Sequence, residues 1–267
     1  AELIRQRVST PAGIMLAKDV TLLFREPGQW AGLAIVPLVM IVLLLPLISG
    51  DGALRALTFW LLLLYGGMFG VNSVQGTGLT AWAREGRNFW LLRISPFPLR
   101  SAFRAKFWGQ WLPLELVWAL AYLLTGIVAG LPAWQVGLLI TTSSLGLAVG
   151  TVVTLALGAI GTNRDRENEG QRVGSLYAWL GLGLTALFLG LSLMMVVLLV
   201  PHLAPGSELV LTSTAVLVAV APPADWILGA EGLLVAALVM LTQVLYLLGV
   251  RRLWTAAIRH LQTCEIV

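Results

Sequence analysis

The chain of 267 residues is 58% hydrophobic and only 11% charged, with a mean hydropathy of +0.88, too apolar to offer water a soluble surface whatever its fold. Its single cysteine, Cys264, excludes an internal disulfide and a cysteine-based metal cluster. The net charge of +4 comes from basic residues beside apolar segments, where anionic lipid attracts them, and does not describe a nucleic-acid-binding domain.

In chain order, residues 2–25 are polar and amphipathic, unlike a secretory leader. Thr10 and Pro11 form a good helix start, a capping hydroxyl followed by a proline at the first helical position, and Pro27 with Gly28 ends the segment. Between them Leu16, Val20, Leu23 and Phe24 share one face, while Lys18 and Arg25 lie on another. The pattern predicts an amphipathic elbow helix over 10–27, lying flat in the headgroup layer before the first span.

A hydrocarbon core of about 30 Å needs about 20 apolar residues of helix. Six windows meet that length: 30–49, 56–75, 108–130, 134–160, 174–200 and 226–250. Trp30, Trp108, Trp134 and Trp226 mark the starts of four of them, as expected for indoles at the headgroup level. With the N-terminus inside, sixteen of the seventeen Lys and Arg fall on the cytoplasmic side and only Arg55 lies outside. The expectation is an all-α, polytopic integral membrane protein with six transmembrane helices and both termini cytoplasmic. A further apolar run, 209–220, reaches only about 18 Å as helix and is bracketed by Pro201, Pro205, Pro222 and Pro223. It predicts a re-entrant or interfacial hydrophobic hairpin within 201–225, between spans five and six. A hydrophobic extracellular loop packed on the bundle is the alternative.

Within the spans, Gly66 and Gly70, Gly126 and Gly130, and Gly146 and Gly150 are small residues four apart that let helices approach closely. Glu115 lies about two turns inside the third window, where a carboxylate costs about 2.5 to 3.5 kcal/mol on insertion scales. Such a group faces either a pathway or a buried basic partner, and the nearness of Lys106 in sequence favours the ion pair.

The segment 82–108 carries more chemistry than a turn requires. It holds Arg84, Arg87, Arg93, Arg100, Arg104 and Lys106, interleaved with Phe89, Trp90, Leu91 and Leu92, and is broken by Pro96 and Pro98. That composition suits a surface gripped by a cytosolic partner; it also suits a segment lying on anionic lipid, which the two prolines argue against by dividing it. Catalysis finds no inventory. The only histidines, His202 and His260, fall on opposite sides, no metal-binding H-E-x-x-H occurs, and no Walker-type G-x-x-x-x-G-K-[ST] cradles nucleotide phosphates.

Three stretches carry a resemblance: KDVTLLFREPGQW (18–30), EGRNFWLLRISPFPLRSAFRAKFW (85–108) and GAIGTNRDRENEG (158–170). Together with the expected six spans, elbow and broken hairpin they resemble the permease half of type-2 ATP-binding-cassette (ABC) exporters, and are similar to bacterial putative ABC exporter permeases. The resemblance covers most of the chain. It implies a single permease domain over 1–267, with a cytoplasmic coupling loop over 82–107, in the bacterial inner (plasma) membrane. A short coupling helix in that loop would dock into a separate ATPase subunit. On this sequence the docking element is Glu85, Gly86, Arg87, Asn88, Phe89, Trp90, Leu91, Leu92 and Arg93. Its aromatic residues suit an interface anchor, and Arg87 and Arg93 suit charge-assisted bonds to carboxylates. A second contact would come from Arg164, Asp165, Arg166 and Glu167, a stretch that reads equally as a solvated turn.

The implied partners are that ATPase subunit, a second permease copy or half, and membrane lipid, with no nucleic acid. The chain itself would be no enzyme and bind no cofactor, ATP and Mg²⁺ belonging to the partner, and export as the direction follows from the resemblance. A different class remains open, a secondary transporter or channel using Glu115 as its coupling carboxylate, although no clear internal repeat is present.

Overall fold

Proline and glycine punctuation sets the helix boundaries in the computed structural model, which describes residues 11–25, 35, 38–39, 41–42, 52–88, 98–162, 173–203 and 230–263. Helix α1 spans Pro11–Arg25 and starts on its proline, as expected. Helix α2 spans Gly52–Gly78 and leads through a turn into a 3-10 helix, Ala83–Asn88. Then come α3 (Leu99–Val128), α4 (Ala133–Gly161), α5 (Ser175–Leu203) and α6 (Ala230–Thr263). Among the described residues there is no strand, only an isolated bridge between Thr162 and Val173 that draws the end of α4 to the start of α5.

Among the described residues four helices are long and apolar enough to cross a bilayer: α3, α4, α5 and α6. They overlap expected spans three to six, α6 running thirteen residues past the expected end at Val250, and the expected second window, 56–75, falls inside the 27-residue α2. Expected span one, 30–49, lies outside the described residues except for helical positions at 35, 38–39 and 41–42. Also outside them are the centre of the long loop (89–97), the second contact (163–171) with Arg164, Asp165, Arg166 and Glu167, the re-entrant segment beyond Leu203, and Cys264.

The hairpin between α3 and α4 shows how sequence makes the fold. Gly130 adopts φ +64°, the left-handed conformation that glycine takes at no steric cost. The Leu131 N–H then donates to the Gly126 carbonyl at 2.9 Å and the Gly130 N–H to the Ile127 carbonyl at 3.1 Å, the double closure of a Schellman motif. Pro132, extended at φ −63°, caps α4, and its carbonyl accepts from the Gln135 N–H at 2.9 Å. Gly130 thus serves the turn, while Gly126 serves packing, facing the Val136 side chain across the hairpin.

Helix α4 is central. It packs against α2, α3, α5 and α6, and 67% of its apolar window is buried, against 33% for α3 and α5 and 11% for α6. Small residues permit that position: Gly146 faces Leu189, Gly150 faces Thr185, and Gly158 stands so close to the Leu79 carbonyl that an added Cβ would lie 2.5 Å from its oxygen. Helix α6 is peripheral and turns Leu234, Leu238, Leu241, Leu245 and Leu248 outward, a stripe suited to lipid. Side-chain hydrogen bonds fasten it inward, Tyr246 Oη to the Leu184 carbonyl at 2.9 Å and Gln243 Nε2 to Ser192 Oγ at 3.1 Å. In apolar surroundings such bonds contribute about 0.6 to 2 kcal/mol each.

One end of the bundle gathers Met15 of α1, Trp82 after α2, Phe103 of α3, Ala156 of α4 and Ile258 of α6 into a single apolar cluster. The same end carries Arg100, Arg104, Arg251, Arg252 and Arg259, and is called the basic end below. The segment expected as loop, 82–107, is loop only in part. Residues 99–107 extend α3 by more than two turns ahead of the expected span start at Trp108. The reason is local. Pro98 supplies an extended N-cap, and Ala102, Phe103, Ala105 and Lys106 are all buried, which gives those turns a face to pack.

Candidate functional site

A stripe of buried residues on the first turns of α3 includes one cation. Ala102, Phe103, Lys106 and Gly109 recur at helical spacing, and the Lys106 side chain is only 3% exposed. A lysine in that place requires counter-charge, because an unpaired buried ammonium loses its hydration without return.

The counter-charge comes from two remote segments. Lys106 Nζ lies 2.7 Å from Glu85 Oε1, on the 3-10 helix that follows α2, and 3.7 Å from Asp19 Oδ2 of α1. Glu85 also accepts from Lys18 Nζ through both oxygens, at 3.0 and 2.9 Å. Below the cluster the Trp82 ring, itself buried, has Lys106 Nζ 5.3 Å from its centroid, a cation–π distance. Two lysines and two carboxylates therefore sum to zero and tie α1, the turn after α2 and the start of α3 together. Gly109 admits α1 to this contact, since a Cβ there would meet Leu16 and Asp19 at 3.4 Å.

The two carboxylates respond in opposite ways. Burial pushes the Asp19 carboxyl above its ordinary range, more strongly than the charges of Lys106 and Lys18 pull it down, with the nearby Glu85 adding to the rise. Burial acts in the same direction on Glu85, yet the charges and hydrogen bonds of Lys106 and Lys18 outweigh it and hold that carboxyl low. Glu85 is thus the firm anion at the centre and Asp19 the yielding one at the edge.

Aromatic rings brace the cluster. Trp82 and Phe103 lie 5.2 Å apart, Phe103 and Trp254 of α6 4.2 Å apart, and Phe107 stacks nearly parallel on Trp111 at 5.8 Å. Such contacts contribute about 0.5–1.5 kcal/mol beyond their area.

Of the residues expected to form the docking element, Glu85 is turned inward to these ion pairs. Gly86, Arg87 and Asn88 are described as backbone of the 3-10 helix, and Phe89, Trp90, Leu91, Leu92 and Arg93 lie outside the described residues. Two of the motif-bearing stretches do meet: Lys18 and Asp19 from the first converge with Glu85 and Lys106 from the second. Sequence reasoning left Lys106 in a loop; its helical spacing from Ala102, Phe103 and Gly109 is the signal that could have found it. Its partners gave no such signal, because they come from other segments.

Glu115 stands apart from that cluster. Its Oε2 has no hydrogen-bond partner among the described residues, and no ion pair forms with Lys106, whose charge is already taken up. Ser144 of α4 lies within hydrogen-bonding reach of the Glu115 carboxylate, and Tyr122, two turns further along α3, lies within reach of Ser143. Trp111 Nε1 donates to the Ser144 carbonyl at 3.3 Å beside them.

Comparison with protein-family models, with curated proteins and with solved structures finds no match to this chain.

Proposed function

We propose that this chain is the permease subunit of an ATP-driven exporter, in which a separate ATPase grips the segment that follows α2 and moves the bundle through it. What carries the reading is the Glu85–Lys106–Asp19–Lys18 cluster at the root of that segment. A handle transmits force only if its base is fastened to what must move. Glu85 fastens this one to α1 and to α3 at once, and both Lys106 and Glu85 are largely shielded from solvent, which keeps the attraction from being screened.

In this mechanism ATP binds the closed state of the ATPase pair more tightly than the open one, the only way a ligand can shift an equilibrium. Closure displaces residues 86–97, and the ion pairs pass the displacement to α1 and α3. ATP and Mg²⁺ stay on the partner. A second permease copy or half completes the pathway, with both termini on the cytoplasmic face of a bacterial inner membrane. Phe89, Trp90 and Leu92 anchor the contact, with Arg87 and Arg93 pairing to acidic groups of the ATPase. Purification in mild detergent with the ATPase tests this: Trp90→Ala and Arg87→Glu are each expected to lower its retention about tenfold or more. Full retention in both variants would contradict the docking assignment.

A second reading has an observation of its own. The unpartnered Glu115 oxygen, inside a span and beside Ser144, suits a carboxylate that carries a proton or cation in an ATPase-independent transporter. Transport by the isolated chain in vesicles with an ion gradient and no ATPase, abolished in Glu115→Gln, would favour it over the first.

A further inference from the structure

Lys18 and Lys106 at the basic end are held in ion pairs, and a separate set of arginines lies beside them. A groove of about 710 Å³ opens between the first turns of α3 and the last turns of α6, lined by Arg100 and Arg104 from one side and Arg251 and Arg259 from the other. On each helix the arginines recur at a spacing of four or eight residues, so each pair shares a face. Among the described residues none of the four makes an ion pair, whereas Lys18 and Lys106 both do. The helices that form the groove supply no acid nearby: α3 has Glu115 alone, well inside its span, α6 has Glu231 alone, at its opposite end, and α4 has none.

The groove is amphipathic along its depth. Trp254 and Phe107 wall it, and Leu247 with Val250 line it on the apolar side. Leu248 and Leu245, one and two turns on, face outward as part of the α6 stripe. Arginine is the side chain whose planar fork matches phosphate oxygens two at a time. Four such forks at the edge of an apolar stripe call for an anion carrying a hydrocarbon tail.

We propose that this groove holds the phosphate of an anionic phospholipid, with its acyl chains running down the outward leucines of α6. Basic pockets between helices at a membrane surface favour such headgroups, and the volume fits a phosphodiester with its glycerol. The site stands whether or not an ATPase drives the chain, and its test involves none.

The test reconstitutes the full chain in nanodiscs of phosphatidylcholine with and without phosphatidylglycerol, counts retained lipid by native mass spectrometry, and follows thermal unfolding. Phosphatidylglycerol is expected to remain bound and to raise the melting temperature. Arg104→Gln combined with Arg251→Gln should lower its retention about tenfold while leaving unfolding in phosphatidylcholine alone unchanged. If that variant fails to fold, Arg104→Lys with Arg251→Lys keeps the charge but loses the fork, and an intermediate retention is expected. A second arm adds inorganic phosphate or glycerol phosphate to the chain in phosphatidylcholine. Protection equal to that of the lipid would assign the groove to a soluble phosphate and overturn the lipid. Unchanged retention in the glutamine variant would overturn the site altogether.

Discussion

Glu85→Gln is expected to lower the unfolding free energy of the purified chain by about 3 kcal/mol, the low end for breaking a buried ion pair by removing one partner. The substitution is nearly isosteric, so packing hardly changes. What changes is Lys106, whose side chain is 3% exposed and would keep only Asp19, at 3.7 Å, as counter-charge. The Lys18 contact adds little to the loss, since Lys18 is 46% exposed and a pair open to water contributes about 0–1 kcal/mol. Adding Lys106→Met to the Glu85→Gln background should recover part of the stability, because an apolar replacement carries no desolvation cost, while Asp19 loses its partner at 3.7 Å. Wild-type stability in the single variant would mean that the buried pair is not formed.

The same cluster gives a pH dependence of two signs. Glu85 titrates lower in the folded chain than in the unfolded one, so its contribution is complete above the ordinary glutamate range and is lost as pH falls through its depressed value. Asp19 titrates higher when folded. Its ionised form is a burden that is fully present above the raised value, and stability is gained as pH falls through that value toward the ordinary aspartate range. Melting temperature should therefore rise slightly on mild acidification and then fall below the ordinary glutamate range. Asp19→Asn should remove the rise and Glu85→Gln the fall.

Gly66→Leu is expected to prevent stable packing of α2 on α3, an effect above about 3 kcal/mol by overpacking. A Cβ at Gly66 would run into the phenol of Tyr122, which is 1% exposed and belongs to one buried cluster with Phe59, Leu62, Trp118 and Leu139. Its burial leaves the ring little room to give way. Gly66→Ala should cost about 1–3 kcal/mol, and Tyr122→Phe in that background should return part of it by removing the oxygen that the new methyl meets. An unaltered melting temperature in Gly66→Ala would contradict this crossing. A fluorescence-detected thermal unfolding series in one detergent suffices for all three variants.

The parts of the fold legible in the sequence were those with local causes. The α3 and α4 spans follow from length and apolarity, with a break between windows 108–130 and 134–160, although Gly130 was read there as a packing residue and instead makes the turn. The start of α3 was not legible, because Arg100, Arg104 and Lys106 read as loop charges. Only burial of Ala102, Phe103 and Lys106 against α1 and α6 makes those turns helix. Glu85 was singled out for an outward role and is held inward, since its partners Lys18 and Lys106 lie 67 and 21 residues away and no local pattern reports them. Gly66 and Gly70 were marked as small residues four apart, but spacing does not say what each faces; the answers are Tyr122 and Leu147.

The handle itself is tested most directly by distance measurement. With Cys264 replaced by Ser, one spin label goes on Asn88 and another on Ile14, each paired with a reference label on Trp134 at the far end of α4. The chain is reconstituted with its ATPase, and distances are read with and without ATP. Movement of both labels on ATP binding in the wild type, but of the Asn88 label alone in Glu85→Gln, is the result predicted. An Ile14 label that stays still in the wild type, or moves equally in the variant, would contradict it.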